Sequence, residues 1–317
     1  MLDNVTKDVA NEFLLSLNLV DRNLSDKEKI RRLYILSNNI EHYYKKYEIP
    51  KRNGGKRVIY EPNYDLKRIQ KNILNNVLSG FNVSKYAMAY VEGRSVKDNV
   101  LPHVNKKVIL KLDIKDFFNS ISFMDIYNKV FLEEYFPKQV RTVLTYLCTY
   151  NEFLPQGAPT SAYISNLIMR DFDEEIGSFC ENNNISYTRY SDDMTFSGDF
   201  DVKKVIYKVK DELKKMGMQL NYDKIHVIYD NMSQQVTGIT VNEKPQVLKT
   251  KRRKIRQEVY YIKKYGLKSH LKRLNVKDEF SYLRSLLGKI NFVLMINGND
   301  FEFIKYRDFI LKEVNGL

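Results

Sequence analysis

Tryptophan is missing from the 317 residues, and cysteine nearly so, with only Cys148 and Cys180 present. Two cysteines so far apart leave no disulfide framework and no clustered zinc ligands; they read as idle thiols in a reducing compartment. Proline and glycine are also scarce, at 7 and 13 residues, which excludes a low-complexity chain. With 43% apolar residues, the composition is that of a globular protein large enough for one or two domains with a real core. Long apolar runs are lacking too. The longest, Ile290 to Ile296, is broken by Asn291 and is far too short to span a bilayer. The opening MLDNVTKDVANEF carries acids and no apolar stretch, so it does not read as a signal peptide. We expect a cytoplasmic protein with no membrane partner.

What is abundant is positive charge. The net charge is +13, and residues 245–317 hold 17 Lys and Arg against 7 Asp and Glu. A basic block of this kind is the footprint of a polyanion partner when it is more than a solvated helix face. Aromatic interleaving favours the partner. In KTKRRKIRQEVYYIKKYGLK (249–268), and again in HYYKKYEIPKR (42–52), cations alternate with Tyr. Cations hold phosphates while rings stack on bases. Arg252, Arg253 and Arg256 are candidates for such contacts.

No internal repeat stands out. Ser25 to Glu28 fits a capping box, and apolar spacing predicts a helix over 25–47. Residues 49–62 read as a strand, a Gly-Gly turn and a second strand. A helix is expected over 65–81, a strand over 108–114, a helix from Phe123 to Glu134 and one long helix over 159–180. A hairpin (185–198), a helix (202–216) and a strand (219–230) follow, and the tail from about Leu248 reads as helical. The pattern predicts an α+β fold, a sheet layered with helices.

The chemistry centres on carboxylates. RYSDDMTFSG (189–198) puts Asp192 and Asp193 at the tip of a hairpin. In VILKLDIKDFF, Asp113 ends an apolar strand, on the face opposite Val108, Leu110 and Leu112. If that strand lies beside the hairpin, three carboxylates meet, and they cannot all stay ionised without cations. Mg²⁺ suits oxygen ligands, and two ions about 4 Å apart clamp an in-line phosphoryl displacement. Each signal alone is commonplace; the combination carries the weight. Three further features stand nearby. LPQGAPTS (154–161) offers small residues and the Gln156 amide for orienting a sugar or base. Phe118 offers a ring under a nucleotide sugar. Lys51, Lys56 and Arg57 surround a turn where a triphosphate would find cations.

Taken together, Asp113 in LDIKDFF, Gln156 in LPQGAPTSAYISN and Tyr190-Ser191-Asp192-Asp193 resemble the successive palm motifs of reverse transcriptases, in order and spacing, over roughly residues 49 to 245. GMQLNYDKIHVI, with Lys224, resembles the motif that follows them. VTGITVN (Val236, Thr237, Gly238) resembles the VTG signature of bacterial retron reverse transcriptases. Asn99 and His103 resemble their Asn-Ala-x-x-His element, with Val100 where Ala is usual. Ser191 likewise stands where many relatives have Ala.

The resemblance implies a right-hand polymerase fold: an N-terminal helical segment (1–48), fingers and palm (49–247) and a basic thumb (248–317). It implies an RNA-directed DNA polymerase in which Asp113, Asp192 and Asp193, with the Ile114 carbonyl, hold two Mg²⁺. Lys51 and Arg57 bind the triphosphate, Gln156 and Phe118 position the sugar, and Lys224 donates a proton to pyrophosphate. Asn99, His103, Ser191, the VTG residues and the thumb arginines become candidate contacts to RNA or primer. Partners would be dNTPs, a cognate structured non-coding RNA with its DNA copy (a branched RNA–DNA primed from a 2′-hydroxyl), and a separate effector in antiphage defence. Two alternatives remain at this stage: another prokaryotic reverse transcriptase (diversity-generating, group II intron-like or CRISPR-associated), and a non-catalytic RNA-binding scaffold.

Overall fold

The computed structural model describes residues 5–21, 23–50 and 54–316. In chain order the elements are α1 (Lys7–Ser16), α2 (Asp26–Asn38), β1 (Tyr44–Pro50), β2 (Lys56–Pro62), α3 (Tyr64–Asn76), α4 (Val96–Val100) and β3 (Val108–Asp113). Next come α5 (Phe123–Lys129), α6 (Lys138–Cys148), α7 (Ser161–Ile168), α8 (Arg170–Asn182), β4 (Ser186–Tyr190), β5 (Asp193–Gly198) and α9 (Val202–Lys215). The rest is β6 (His226–Tyr229), β7 (Gln235–Val236), β8 (Ile239–Thr240), β9 (Gln246–Val247), α10 (Lys249–Tyr265), α11 (Leu267–Leu274), α12 (Glu279–Ile296) and α13 (Phe301–Asn315). Among the described residues, no helix is long and apolar enough to cross a membrane.

The chain forms two compact units. The first comprises Met1–Gly93, Lys111–Met194 and Asp201–Ile225; the second comprises Arg94–Leu110, Thr195–Phe200 and His226–Leu317. A four-stranded sheet in the order β4-β5-β3-β6 uses the Asp113 strand and both arms of the YSDD hairpin. β3 is enclosed at every position except the half-buried Lys111, so its apolar residues fall on both faces and do not strictly alternate.

In the first unit, α2 starts as expected. The Ser25 hydroxyl accepts from the Glu28 amide, and Glu28 accepts from the Ser25 amide at 3.0 Å. The helix expected over 25–47 ends at Asn38, however, and 44–47 belong to β1. Cross-strand pairing from Tyr44↔Pro62 to Pro50↔Lys56 claims these residues, because a β-rich partner seven residues long outweighs a weak helical periodicity. The helix expected over 159–180 is two, α7 and α8, meeting at Met169. The strand expected over 219–230 is a single 3₁₀ turn at Tyr222–Lys224 followed by the short β6.

The second unit has its own core. Val236, Ile239, Val241 and Val247 pack with Ile255, Val259 and Ile262 of α10, and with Leu283, Leu286, Ile290 and Val293 of α12. The small sheet β7-β8-β9 turns at Thr237-Gly238, with φ of 45° and 77°. A two-residue hairpin loop with both φ positive matches strand twist, but it is strained for a β-branched residue such as Thr237.

Candidate active site

The carboxylates converge within the first unit. The Ile114 amide donates to the Asp192 carbonyl at 3.2 Å, which sets the end of β3 against the hairpin turn. Asp113 is buried, Asp192 half-buried and Asp193 open to solvent. The three act on one another. Burial, then the charge of Asp113, raises the Asp192 pKa, against which Lys224 and Arg57 pull. Desolvation by the surrounding protein, then Asp192 and Asp113, lifts Asp193 to about 6. Carboxylates pushed up by one another form a site that lacks positive charge and gains most from a cation.

Part of that charge comes from the chain itself. The Lys224 ammonium lies 2.7 Å from Asp113 Oδ2, and Asn221 Nδ2 donates to Asp113 Oδ1 at 3.1 Å. Burial opposes the Lys224 charge, but the hydrogen bond and charge of Asp113 outweigh it, so the lysine is held protonated. The 3₁₀ turn places both residues, tied to β3 through Asn221 N–H donating to the Asp113 carbonyl at 2.8 Å. Asn221 had no sequence signal of its own; it stands three residues before Lys224 in the same turn.

As the side chains stand, no three His, Cys, Asp or Glu among the described residues close around a single point. Asp113 is turned to Lys224 instead. The donor set still fits a hard divalent ion: it is all oxygen and it carries three acidic groups. Asp113 would have to exchange the lysine for the ion.

The nucleotide candidates differ in what surrounds them. Lys51 lies outside the described residues. Arg57 is exposed on β2, paired in register with Ile49, and its charge reaches Asp192. Lys56 is spent on Glu48 across the hairpin at 2.6 Å. Phe118 is half-buried, its ring edge-to-face with the core ring of Phe117 at 5.4 Å, so one side of it stays available. The Gln156 carbonyl accepts from Tyr60 N–H at 2.8 Å. Gly157 follows at φ +126°, where a Cβ would lie 2.7 Å from the Tyr60 carbonyl oxygen. The glycine lets the QG loop lie flat on β2, which joins Gln156 to the strand that carries Arg57.

The expected RNA contacts divide. Asn99, His103 and Val236 are enclosed in the second unit, where Asn99 Nδ2 donates to Thr237 Oγ1 at 3.3 Å and His103 Nδ1 meets Ser197 Oγ at 2.7 Å. These three side chains therefore support the turn and offer RNA no surface here, while Thr237 and Gly238 are half-open. Ser191 is also buried. Arg252 is held by Asp300 at 2.5 Å and Arg256 by Glu302 at 2.6 Å. Arg253 is exposed, beside Tyr260 and Tyr261 in a recess of about 350 Å³. Arg273 stacks on Tyr261 at 4.6 Å and Lys264 on Tyr265 at 5.2 Å. Both cysteines are buried and free.

A model of the family described as reverse transcriptase (RNA-dependent DNA polymerase) matches residues 49–283. Retron Ec86 reverse transcriptase of Escherichia coli is 30% identical over 252 residues, covering 77% of this chain and 78% of its own. Retron Ec83 reverse transcriptase of Escherichia coli is 33% identical over 262 residues, covering 78% and 81%. A solved telomerase from Candida albicans aligns with 86% of this chain and 61% of its own at 13% identity and a TM-score of 0.47, too distant to bear on the assignment. The family acts with divalent metal ions on an RNA template and dNTPs, and the acidic centre above has the matching chemistry. With the family model matching residues 49–283 and three quarters of its length shared with such relatives, the chain belongs to the retron reverse transcriptases and is an RNA-directed DNA polymerase.

Proposed function

We propose that this polymerase copies part of a cognate structured non-coding RNA into DNA, starting from a guanosine 2′-hydroxyl of that RNA and leaving a branched RNA–DNA. The product serves antiphage defence in the bacterial cytoplasm, together with a separate effector protein. The observation that carries the reading is the meeting of Asp113, Asp192 and Asp193 with Lys224 and Arg57 in one centre.

Asp113, Asp192 and Asp193, with the Ile114 carbonyl, hold two Mg²⁺. When bound, these ions activate the attacking hydroxyl and neutralise the leaving pyrophosphate. The protein does the rest. Arg57 and Lys51 grip the triphosphate. Gln156 orients the sugar, and the Phe118 ring lies under it where a 2′-hydroxyl would otherwise fit. Lys224, kept protonated by Asp113, gives its proton to the pyrophosphate as the P–O bond breaks. Residues 248–317 act as the thumb, with Arg253, Tyr260 and the stacked Arg273–Tyr261 pair facing the RNA. Thr237 and Gly238, braced by Asn99, lie at the RNA side of the same unit.

The test is the nucleic acid that copurifies with the protein. Half is treated with RNase and half with DNase. A branched species sensitive to both supports the proposal; RNA alone would identify a scaffold, and unbranched DNA another class of reverse transcriptase.

A further inference from the structure

Among the described residues, Arg189 is the largest side chain with no solvent exposure, and it lies three residues before Asp192. A buried guanidinium is costly to desolvate, and a buried ion pair is often no more stable than an apolar pair of the same size. Stability alone therefore does not account for it.

Its hydrogen bonds do. Arg189 Nε donates to Asp173 Oδ1 at 2.8 Å and Nη2 to Asp173 Oδ2 at 2.6 Å, a two-point fork from β4 to α8. Asp173, equally buried, also accepts from the Tyr187 hydroxyl at 2.8 Å. The remaining arm of the fork, Nη1, divides between Asn166 Oδ1 at 3.1 Å and the Ser191 carbonyl at 3.0 Å. Asn166 is itself fixed, donating to the Ala89 carbonyl at 2.8 Å. Helices α7 and α8 therefore hold a rigid donor against the peptide joining Ser191 to Asp192.

That peptide needs holding. Ser191 has φ of 64°, in the left-handed region that side-chain-bearing residues avoid. Such a conformation persists only where its surroundings over-determine it. On the other side of Asp192, the carbonyl accepts from Ile114 N–H at 3.2 Å. The two peptides flanking Asp192 are thus fixed from opposite sides, one by Arg189 and one by the end of the Asp113 strand.

We infer that Arg189, locked by Asp173, is a positioning residue for the catalytic turn. It keeps Ser191 left-handed so that the Asp192 and Asp193 carboxylates present a preformed cation site to Asp113. Geometry held within a fraction of an ångström is what such a site requires.

The test replaces the buried pair by apolar residues of similar size, Asp173→Leu with Arg189→Met, and separately makes Arg189→Lys, which keeps the charge but loses the fork. Folding is followed by thermal unfolding, Mn²⁺ binding by electron paramagnetic resonance, and catalysis by single-nucleotide extension. The expected result for both proteins, folded, is Mn²⁺ binding at least fivefold weaker and kcat at least tenfold lower, with KM for dNTP within twofold of the parent. Adding Ser191→Gly, which adopts positive φ freely, recovers threefold or more of the kcat lost by Arg189→Lys. Folded variants with parental Mn²⁺ affinity and kcat overturn the inference. If the apolar pair does not fold, Arg189→Lys decides by the same criteria.

Discussion

The ammonium of Lys224 lies 2.7 Å from the carboxylate of Asp113, on the oxygen where a cation would sit. A divalent ion bound to Asp113 would compete with this lysine for one carboxylate. Lys224→Gln should lower kcat by about 100-fold through loss of the proton donor. It should also reduce the Mg²⁺ concentration needed for half-activation, because nothing else displaces the ion from Asp113. A Mg²⁺ titration of single-nucleotide extension measures both; a higher Mg²⁺ requirement would contradict the competition.

Gly157 fixes the QG loop to the β1–β2 hairpin. A Cβ there would lie 2.8 Å from Ile59 Cγ2 as well as against the Tyr60 carbonyl, at a φ that alanine rarely adopts. Gly157→Ala should cost about 2 kcal/mol of stability, read as a fall in Tm. Displacing Gln156 should raise KM for dNTP by about tenfold. An unchanged KM would separate Gln156 from nucleotide binding.

His103 makes stability depend on acid. Burial, then the charge of Lys106, lowers its pKa to about 3 from 6.5. Between these values the unfolded chain binds a proton that the folded protein does not. Stability is therefore intact above pH 6.5 and declines as pH falls, by about 1.4 kcal/mol per pH unit from this group. Urea unfolding at pH 7, 6 and 5 should show a shallower decline for His103→Gln than for the parent protein. Equal slopes would mean that His103 takes up its proton while folded.

The arginines of α10 should separate into two kinds. Arg253 is exposed, whereas Arg252 is bound to Asp300 within the same unit. Arg253→Ala should weaken RNA binding and reduce the slope of log affinity against log salt by about 1. Arg252→Ala should lower Tm and leave that slope as it was. Fluorescence anisotropy over a salt series distinguishes them.

Much of the centre was legible in the chain because its spacing is local. Asp113 ends an apolar strand, and Asp192 and Asp193 sit between two short strands. Gln156 precedes a glycine that its loop requires, whereas the turn that carries Lys224 read as strand. What was not legible depends on contacts far apart in sequence. Arg189 carried no signal in the sequence; only the fold brings Asp173 and Asn166 to it. Asn99 and His103 looked like surface recognition residues, and their burial follows from packing beside Thr237 and Ser197. Residues 44–47 read as the end of a helix and belong to a strand because β2 returns along them. Arg252 and Arg256 read as candidate phosphate contacts, and the fold pairs them with Asp300, the N-cap of α13, and Glu302. Local pattern shows which residues carry chemistry, whereas pairing partners are set by topology.

The most direct test of the account is primer extension on an RNA template by Asp192→Asn protein, with Tm and secondary structure confirmed against the parent. Loss of a carboxylate that holds the catalytic ions should remove several kcal/mol of transition-state stabilisation, a fall in rate of about 1,000-fold or more. Folded Asp192→Asn protein that extends the primer at the parental rate would contradict it.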